Sequence, residues 1–131
     1  MKKAFFFIFI LLCLPILAGC EQATKTPEDS PVEGEKVAYI MQMASSDIFE
    51  MWAEAAQETA EALGMTCDVF FCDGSDFQWM DTVSQCAAEG YDGLLLSHGG
   101  QNYAYDFLTN LLAEYPDLKI VTFDTQFKDR S

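Results

Sequence analysis

The chain has a single histidine, four prolines and only seven basic residues against 21 acidic ones. Each scarcity excludes something. Cys67, Cys72 and Cys86 are separated by four and thirteen residues, and with His98 alone beside them they make no zinc signature. Neither a P-loop nor a G-x-G-x-x-G run occurs, and no Ser–His–Asp spacing can be argued, so an enzyme is a weak reading. The deficit of cations leaves a net charge of −14, which repels a phosphate backbone and anionic headgroups and speaks against nucleic acid as a partner. No apolar run reaches the ~20 residues of a spanning helix. The longest, Ala4 to Leu17, has 14 residues and is interrupted by Pro15.

What is present begins with that run. Lys2 and Lys3 precede it, and Ala18-Gly19 follow it, the layout of a secretory signal with a cleavage site. Leu17-Ala18-Gly19-Cys20 resembles the bacterial lipobox. The resemblance implies that Cys20 is lipid-modified, becomes the mature N-terminus and holds an exported protein at a membrane surface without spanning it. Residues 21–35 (EQATKTPEDSPVEGE) are poor in large apolar side chains and are expected to form a disordered tether. Such a tether would reach roughly 20 Å on average. Beyond residue 20, five basic residues face all 21 acidic ones, a balance of −16.

Cys13 leaves with the signal and Cys20 is used by the lipid. The remaining three cysteines cannot all pair with one another. They are expected to be small buried apolar residues, a Cys72–Cys86 bridge being the alternative.

From residue 36 to the end, short apolar runs alternate with helical periodicity. Strands are predicted at Lys36–Gln42, Met65–Phe71, Asp92–Ser97 and Lys119–Phe123. Helices are predicted at about Asp47–Leu63 and Asp76–Glu89, with a third carrying Ala104, Phe107, Leu108, Leu111, Leu112 and Tyr115. The first helix shows an apolar stripe of Ile48, Trp52, Ala55, Ala56, Thr59 and Leu63. The second shows Phe77, Met80, Val83 and Ala87, with Trp79 expected to cover the sheet flank. Gly64 and Gly90 stand where helix-ending glycines belong. Alternating strands and helices predict an α/β fold, a Rossmann-like parallel sheet with helices on both faces and right-handed crossovers.

The stretches KVAYIMQMASSDIFEMWAEAAQETAEALG, DGSDFQWMDTVSQCAAEGYDGLLLS and KIVTFDT resemble the N-terminal lobe of the type I periplasmic substrate-binding proteins, in particular the sugar-binding branch. The likeness covers about residues 36–127. It implies a lobe of a longer, two-lobed protein that captures a small polar ligand, sugar favoured, and presents it to an ABC transporter permease. It implies no cofactor and no chemistry. Three positions depart from the pattern: Asp47 replaces a frequent proline, Ala55 a frequent glycine, and Thr125 a frequent arginine. Tyr115-Pro116-Asp117-Leu118-Lys119 also resembles the nucleoside-binding basic-membrane-lipoprotein branch. A sensor lobe feeding a membrane receptor is a further alternative. A flavodoxin-like carrier is disfavoured, because residues 42–47 lack the glycine that a phosphate cradle needs.

Ligands of open parallel sheets bind beyond the carboxyl ends of the strands, at the point where strand order reverses. With order 2-1-3-4 the crevice lies between the first and third strands. Ser46, Phe49, His98, Gln101 and Asp124 are the candidate ligand-binding residues. Ser46 reads equally as a helix cap, Phe49 as core, His98 as part of a plain turn and Asp124 as a turn-ordering residue. By resemblance, Phe49 packs on the flat face of a sugar.

Overall fold

The computed structural model describes residues 30–100 and 102–128. Cys20 and the expected tether as far as residue 29 lie outside them. Seven elements follow in order: β1 (Lys36–Met41), α1 (Asp47–Ala62), β2 (Thr66–Phe71), α2 (Asp76–Ala88), β3 (Gly93–Ser97), α3 (Ala104–Glu114) and β4 (Lys119–Thr122). All pairings are parallel and the sheet order is β2-β1-β3-β4. The first move is from β1 to β2 and the next two run the opposite way. Right-handed crossovers therefore place α1 on one face of the sheet and α2 and α3 on the other. The α/β expectation and its strand order hold.

Both sheet-entering glycines act through their backbone. Gly64 and Gly90 take φ of +80° and +81°. After α1, Gly64 N–H donates to the Glu61 carbonyl and Met65 N–H to the Ala60 carbonyl. After α2, Gly90 and Tyr91 repeat this on Ala87 and Cys86. Each is a Schellman ending, which satisfies terminal carbonyls and turns the chain into the next strand. Residues 31–34, the last of the expected tether, form a turn in which Gly34 N–H donates to the Gly64 carbonyl at 2.8 Å.

The larger core lies between the sheet and α2/α3. Ile40, Leu94 and Leu96 point into it from the strands, and Trp79, Val83, Cys86, Leu108 and Leu111 from the helices. Trp79 is fully buried against Tyr103, Phe107 and Phe127, as expected of a flank-covering residue. The helix faces differ from the periodicity reading in detail. Phe77 is 81 % exposed, because the face that meets the sheet runs through Trp79, Val83, Cys86 and Ala87. In α1 the buried line is Ala53 and Ala60 with Phe49, Trp52 and Ala56 half-buried, whereas Ile48, Ala55, Thr59 and Leu63 are exposed. Apolar type alone could not separate two adjacent uncharged flanks of one helix.

That second flank has a geometric origin. Four strands span roughly 19 Å at ~4.8 Å each, and one helix covers only about 10 Å. Two helices cover one face, while α1 packs over β1 and β2 on the other. Leu95 and Phe123 are left beside Trp52, Ala55 and Ala56, lining an open groove of about 450 Å³ that Asp124 also borders.

A polar clasp closes the amino edge of the sheet. Lys36 Nζ lies 3.3 Å from Asp68 Oδ2 and 3.8 Å above the centre of the Tyr91 ring. The Tyr91 hydroxyl donates to Asp68, and Lys36 N–H donates to Asp92 Oδ2 at 2.7 Å. Tyr91's bond is the largest influence on Asp68 and holds its carboxylate below the ordinary range, with Lys36 adding to it. The stability so contributed is complete above the unfolded carboxylate value of about 3.9 and is lost as pH falls through the depressed folded value.

Cys67, Cys72 and Cys86 are free thiols, so the alternative bridge is not formed. Cys72 and Cys86 are buried, as expected, while Cys67 is half-buried on β2. Burial pushes the Cys86 thiol up to about 11.

Two outcomes follow from this packing. In the folded chain, iodoacetamide should modify Cys67 before Cys72 or Cys86, as read by peptide mass mapping; equal rates would contradict the burial order. In urea titrations, the stability difference between wild type and Asp68→Asn should shrink as pH is lowered below about 4; a pH-independent difference would exclude the clasp as its source.

Candidate ligand site at the carboxyl edge

The carboxyl ends of the strands gather four loops at one edge. Their described residues are 43–46 after β1, 72–75 after β2, 98–100 and 102–103 after β3, and 123–128 after β4. Sheet order places the loops after β1 and β3 side by side at the reversal point. Gln42, buried at the end of β1, ties three of the loops together. Its N–H donates to the Ser97 carbonyl at 3.2 Å and its carbonyl accepts from Gly74 N–H at 2.8 Å. Its side-chain amide donates to the Gly74 carbonyl at 2.8 Å and to Asp76 Oδ1 at 3.2 Å.

His98 is the meeting point of the other side. It follows β3 with φ of +58°, and Asp124 follows β4 with φ of +57°. Both are non-glycine residues in the left-handed region, which costs on the order of 1–3 kcal/mol each and persists only where contacts fix it. Those contacts are present. His98 Nε2 lies 3.0 Å from Asp124 Oδ2, His98 N–H donates to Thr125 Oγ1 at 3.1 Å, and Nδ1 meets Ser97 Oγ. The imidazole also stands edge-on to Phe49, with ring centres 5.4 Å apart. Phe49 in turn contacts Trp52, whose ring lies against Phe123. An aromatic line thus runs from α1 to the end of β4.

Three of the expected residues, Phe49, His98 and Asp124, are brought together. Phe49, absent from the apolar stripe expected of α1, is half-buried on the sheet-facing side of that helix and reaches the loop of β3. Ser46 occupies the N-cap position of α1 but makes no side-chain capping bond; its carbonyl accepts from Glu50 N–H at 2.8 Å. By contrast, Ser75 caps α2 by accepting from Gln78 N–H. Ser46 is exposed at the mouth of the crevice, and Gln101 lies outside the described residues.

Gln42, Asp76 and Tyr103 were not singled out by the sequence, and Thr125 was named only as a departure from the pattern. The signal for Gln42 was present, an amide ending an otherwise apolar strand. The Tyr103 hydroxyl accepts from Gly100 N–H at 3.0 Å. Burial first, then its bond to Asp76, pushes that phenol up to about 12. Thr125, which stands where an arginine is frequent in the proteins the chain resembles, uses its hydroxyl to hold the β3 loop.

Ser97, His98 and Asp124 form a hydrogen-bonded line with the residue types of a hydrolase triad. The serine, however, is fully buried with its hydroxyl against the imidazole, so it offers no nucleophile to a substrate. Among the described residues no group of three His, Cys, Asp or Glu side chains converges to hold a metal ion. No helix among them is long and apolar enough to cross a membrane. The edge carries Asp47, Asp73, Asp76 and Asp124 against a single cation among the described residues of its loops, Lys128 at the far end of the last. Such an edge repels anions and offers acceptors to hydroxyl donors.

No family model matches the chain, and comparison with curated proteins gives no match. Among solved structures, it superposes on the crystal structure of a sugar ABC transporter from Yersinia enterocolitica subsp. enterocolitica 8081. The TM-score is 0.60 at 24 % sequence identity, over 70 % of this chain and 32 % of that one. The likeness shows the fold: a parallel α/β sheet covered by helices. The chain spans about a third of that protein's length.

The loop after β3 leaves no room for a side chain at Gly99. A Cβ there would lie 2.8 Å from Trp79 Cζ2 and 3.0 Å from Phe127 Cζ. Gly99→Ala should therefore displace the indole and lower stability by about 1–3 kcal/mol. A urea midpoint and tryptophan emission both unchanged from wild type would contradict this packing.

Proposed function

We propose that the chain is the ligand-facing lobe of a membrane-tethered, extracytoplasmic solute-binding lipoprotein. It captures a small polar ligand, a sugar in preference to a nucleoside, for delivery to an ABC transporter permease, and performs no chemistry on it. The observation that carries this reading is the juxtaposition of Phe49, His98 and Asp124 at the strand-order reversal. A flat aromatic surface beside an ionised acceptor suits a pyranose or furanose, which has an apolar C–H face and hydroxyl donors. The fold shared with a sugar ABC transporter supports the same reading. Cys20 would supply the lipid anchor, and the residues after it the freedom to reach the permease.

Saturation-transfer NMR on the full chain in detergent, with D-glucose, D-galactose, D-ribose and adenosine as probes, tests the ligand class. Transfer to at least one monosaccharide that Phe49→Ala abolishes is expected. Transfer to adenosine alone would move the protein to the nucleoside class, and transfer to none would remove the solute-binding reading. Metabolic labelling with a radioactive fatty acid should mark the wild type and spare Cys20→Ser.

A further inference from the structure

We propose that His98 is the positioning residue of this site: it contributes no nitrogen to the ligand but sets the direction of Asp124. The proposal rests on the solute-binding reading and assigns the residue that aims its acceptor.

Every hydrogen-bonding group of His98 outside its carbonyl has a protein partner. Nδ1 meets Ser97 Oγ, Nε2 meets Asp124 Oδ2 at 3.0 Å, and the backbone N–H donates to Thr125 Oγ1 at 3.1 Å. Ser97 is fully buried, so its hydroxyl is a fixed partner for the ring. Asp124 Oδ2 only accepts, so the neutral imidazole carries its proton on Nε2, the donor to Asp124, and Nδ1 is left to accept from Ser97 O–H. A ligand hydroxyl thus finds no free ring nitrogen. It finds Asp124, half-exposed, with Oδ2 engaged by the histidine and Oδ1 as a second acceptor, beside the groove that Trp52 and Phe123 line.

The same contacts fix the ring plane. Phe49 packs edge-on to it, so the imidazole and the benzene ring form adjoining walls. His98 thereby couples three elements: the end of β3 that carries it, the end of β4 that carries the acceptor, and the first turn of α1 that carries the aromatic surface. The arrangement selects a ligand with a hydroxyl donor next to an apolar face.

Three variants and one spectrum test this. His98→Phe keeps a ring against Phe49 and removes both nitrogens; His98→Gln restores an N–H donor at about the Nε2 position; Asp124→Asn removes the charge that is aimed. With the monosaccharide that binds wild type best, His98→Phe should weaken binding roughly tenfold or more, the loss of a charge-assisted acceptor's alignment. His98→Gln should recover most of it. The double variant His98→Phe/Asp124→Asn should bind no more weakly than Asp124→Asn alone, because the histidine acts through the carboxylate. In long-range ¹H–¹⁵N spectra the His98 ring should show the Nε2–H tautomer, and Asp124→Asn should shift Nε2. Losses that multiply in the double variant, or His98→Phe binding like wild type, would overturn the assignment. A proton found on Nδ1, or an unmoved Nε2 in Asp124→Asn, overturns it as well, even if His98→Phe does not fold. Wild type that binds no monosaccharide removes the underlying reading instead, an outcome distinct from either.

Discussion

The reversal of strand order at β1 and β3 is the constraint on which the rest of the molecule depends. Crossover handedness is fixed, so a chain that moves first to one side of β1 and then to the other must put its helices on opposite faces. The loops that leave β1 and β3 then diverge, and the gap between them is the crevice. Nothing about the side chains there is needed to create that gap. What the sequence adds is its lining: an amide at Gln42 to tie the loops, a phenyl ring at Phe49, and His98 opposite. The site is a by-product of topology that particular residues have furnished.

The topology was legible because its signals are local and redundant. Four apolar runs of strand length, two glycines at helix ends and the triplet Leu94-Leu95-Leu96 all state a buried parallel sheet. The helix faces were less legible. In α1 the residues that meet the sheet most closely are alanines, Ala53 and Ala60, which carry little periodic signal, whereas the bulkier Ile48 and Leu63 lie outside. Phe77 drew attention by size and proved exposed, because Trp79, two positions and about 200° further round the helix, takes the face toward the sheet. In the site, Phe49, His98 and Asp124 followed from strand ends and from family likeness. The bond from His98 to Thr125 could not, because it joins residues 27 apart through two left-handed backbone positions.

Those two positions show how the loops hold an unfavourable conformation. Single residues in the left-handed region relax unless several contacts agree. At His98 they agree from three directions: buried Ser97 below, Thr125 across, and the packed ring of Phe49 beside. On the next residue, Gly99 lies against Trp79 so closely that the turn cannot swing toward the larger core. The loop is therefore held between two aromatic clusters, one on each face of the sheet.

The two clusters are not equal, and the inequality bears on the site. Trp79, Phe107 and Phe127 sit in the core roofed by two helices, so the β3 loop is anchored on a well-packed side. Phe49, Trp52 and Phe123 belong to the smaller cluster, roofed by α1 alone, with an open groove of about 450 Å³ beside it. Side chains next to unfilled space lose contacts on one side and gain freedom to shift. That space is bordered by Trp52 and Phe123 and also by Asp124, so the acceptor stands at its edge while His98 holds it from the other side.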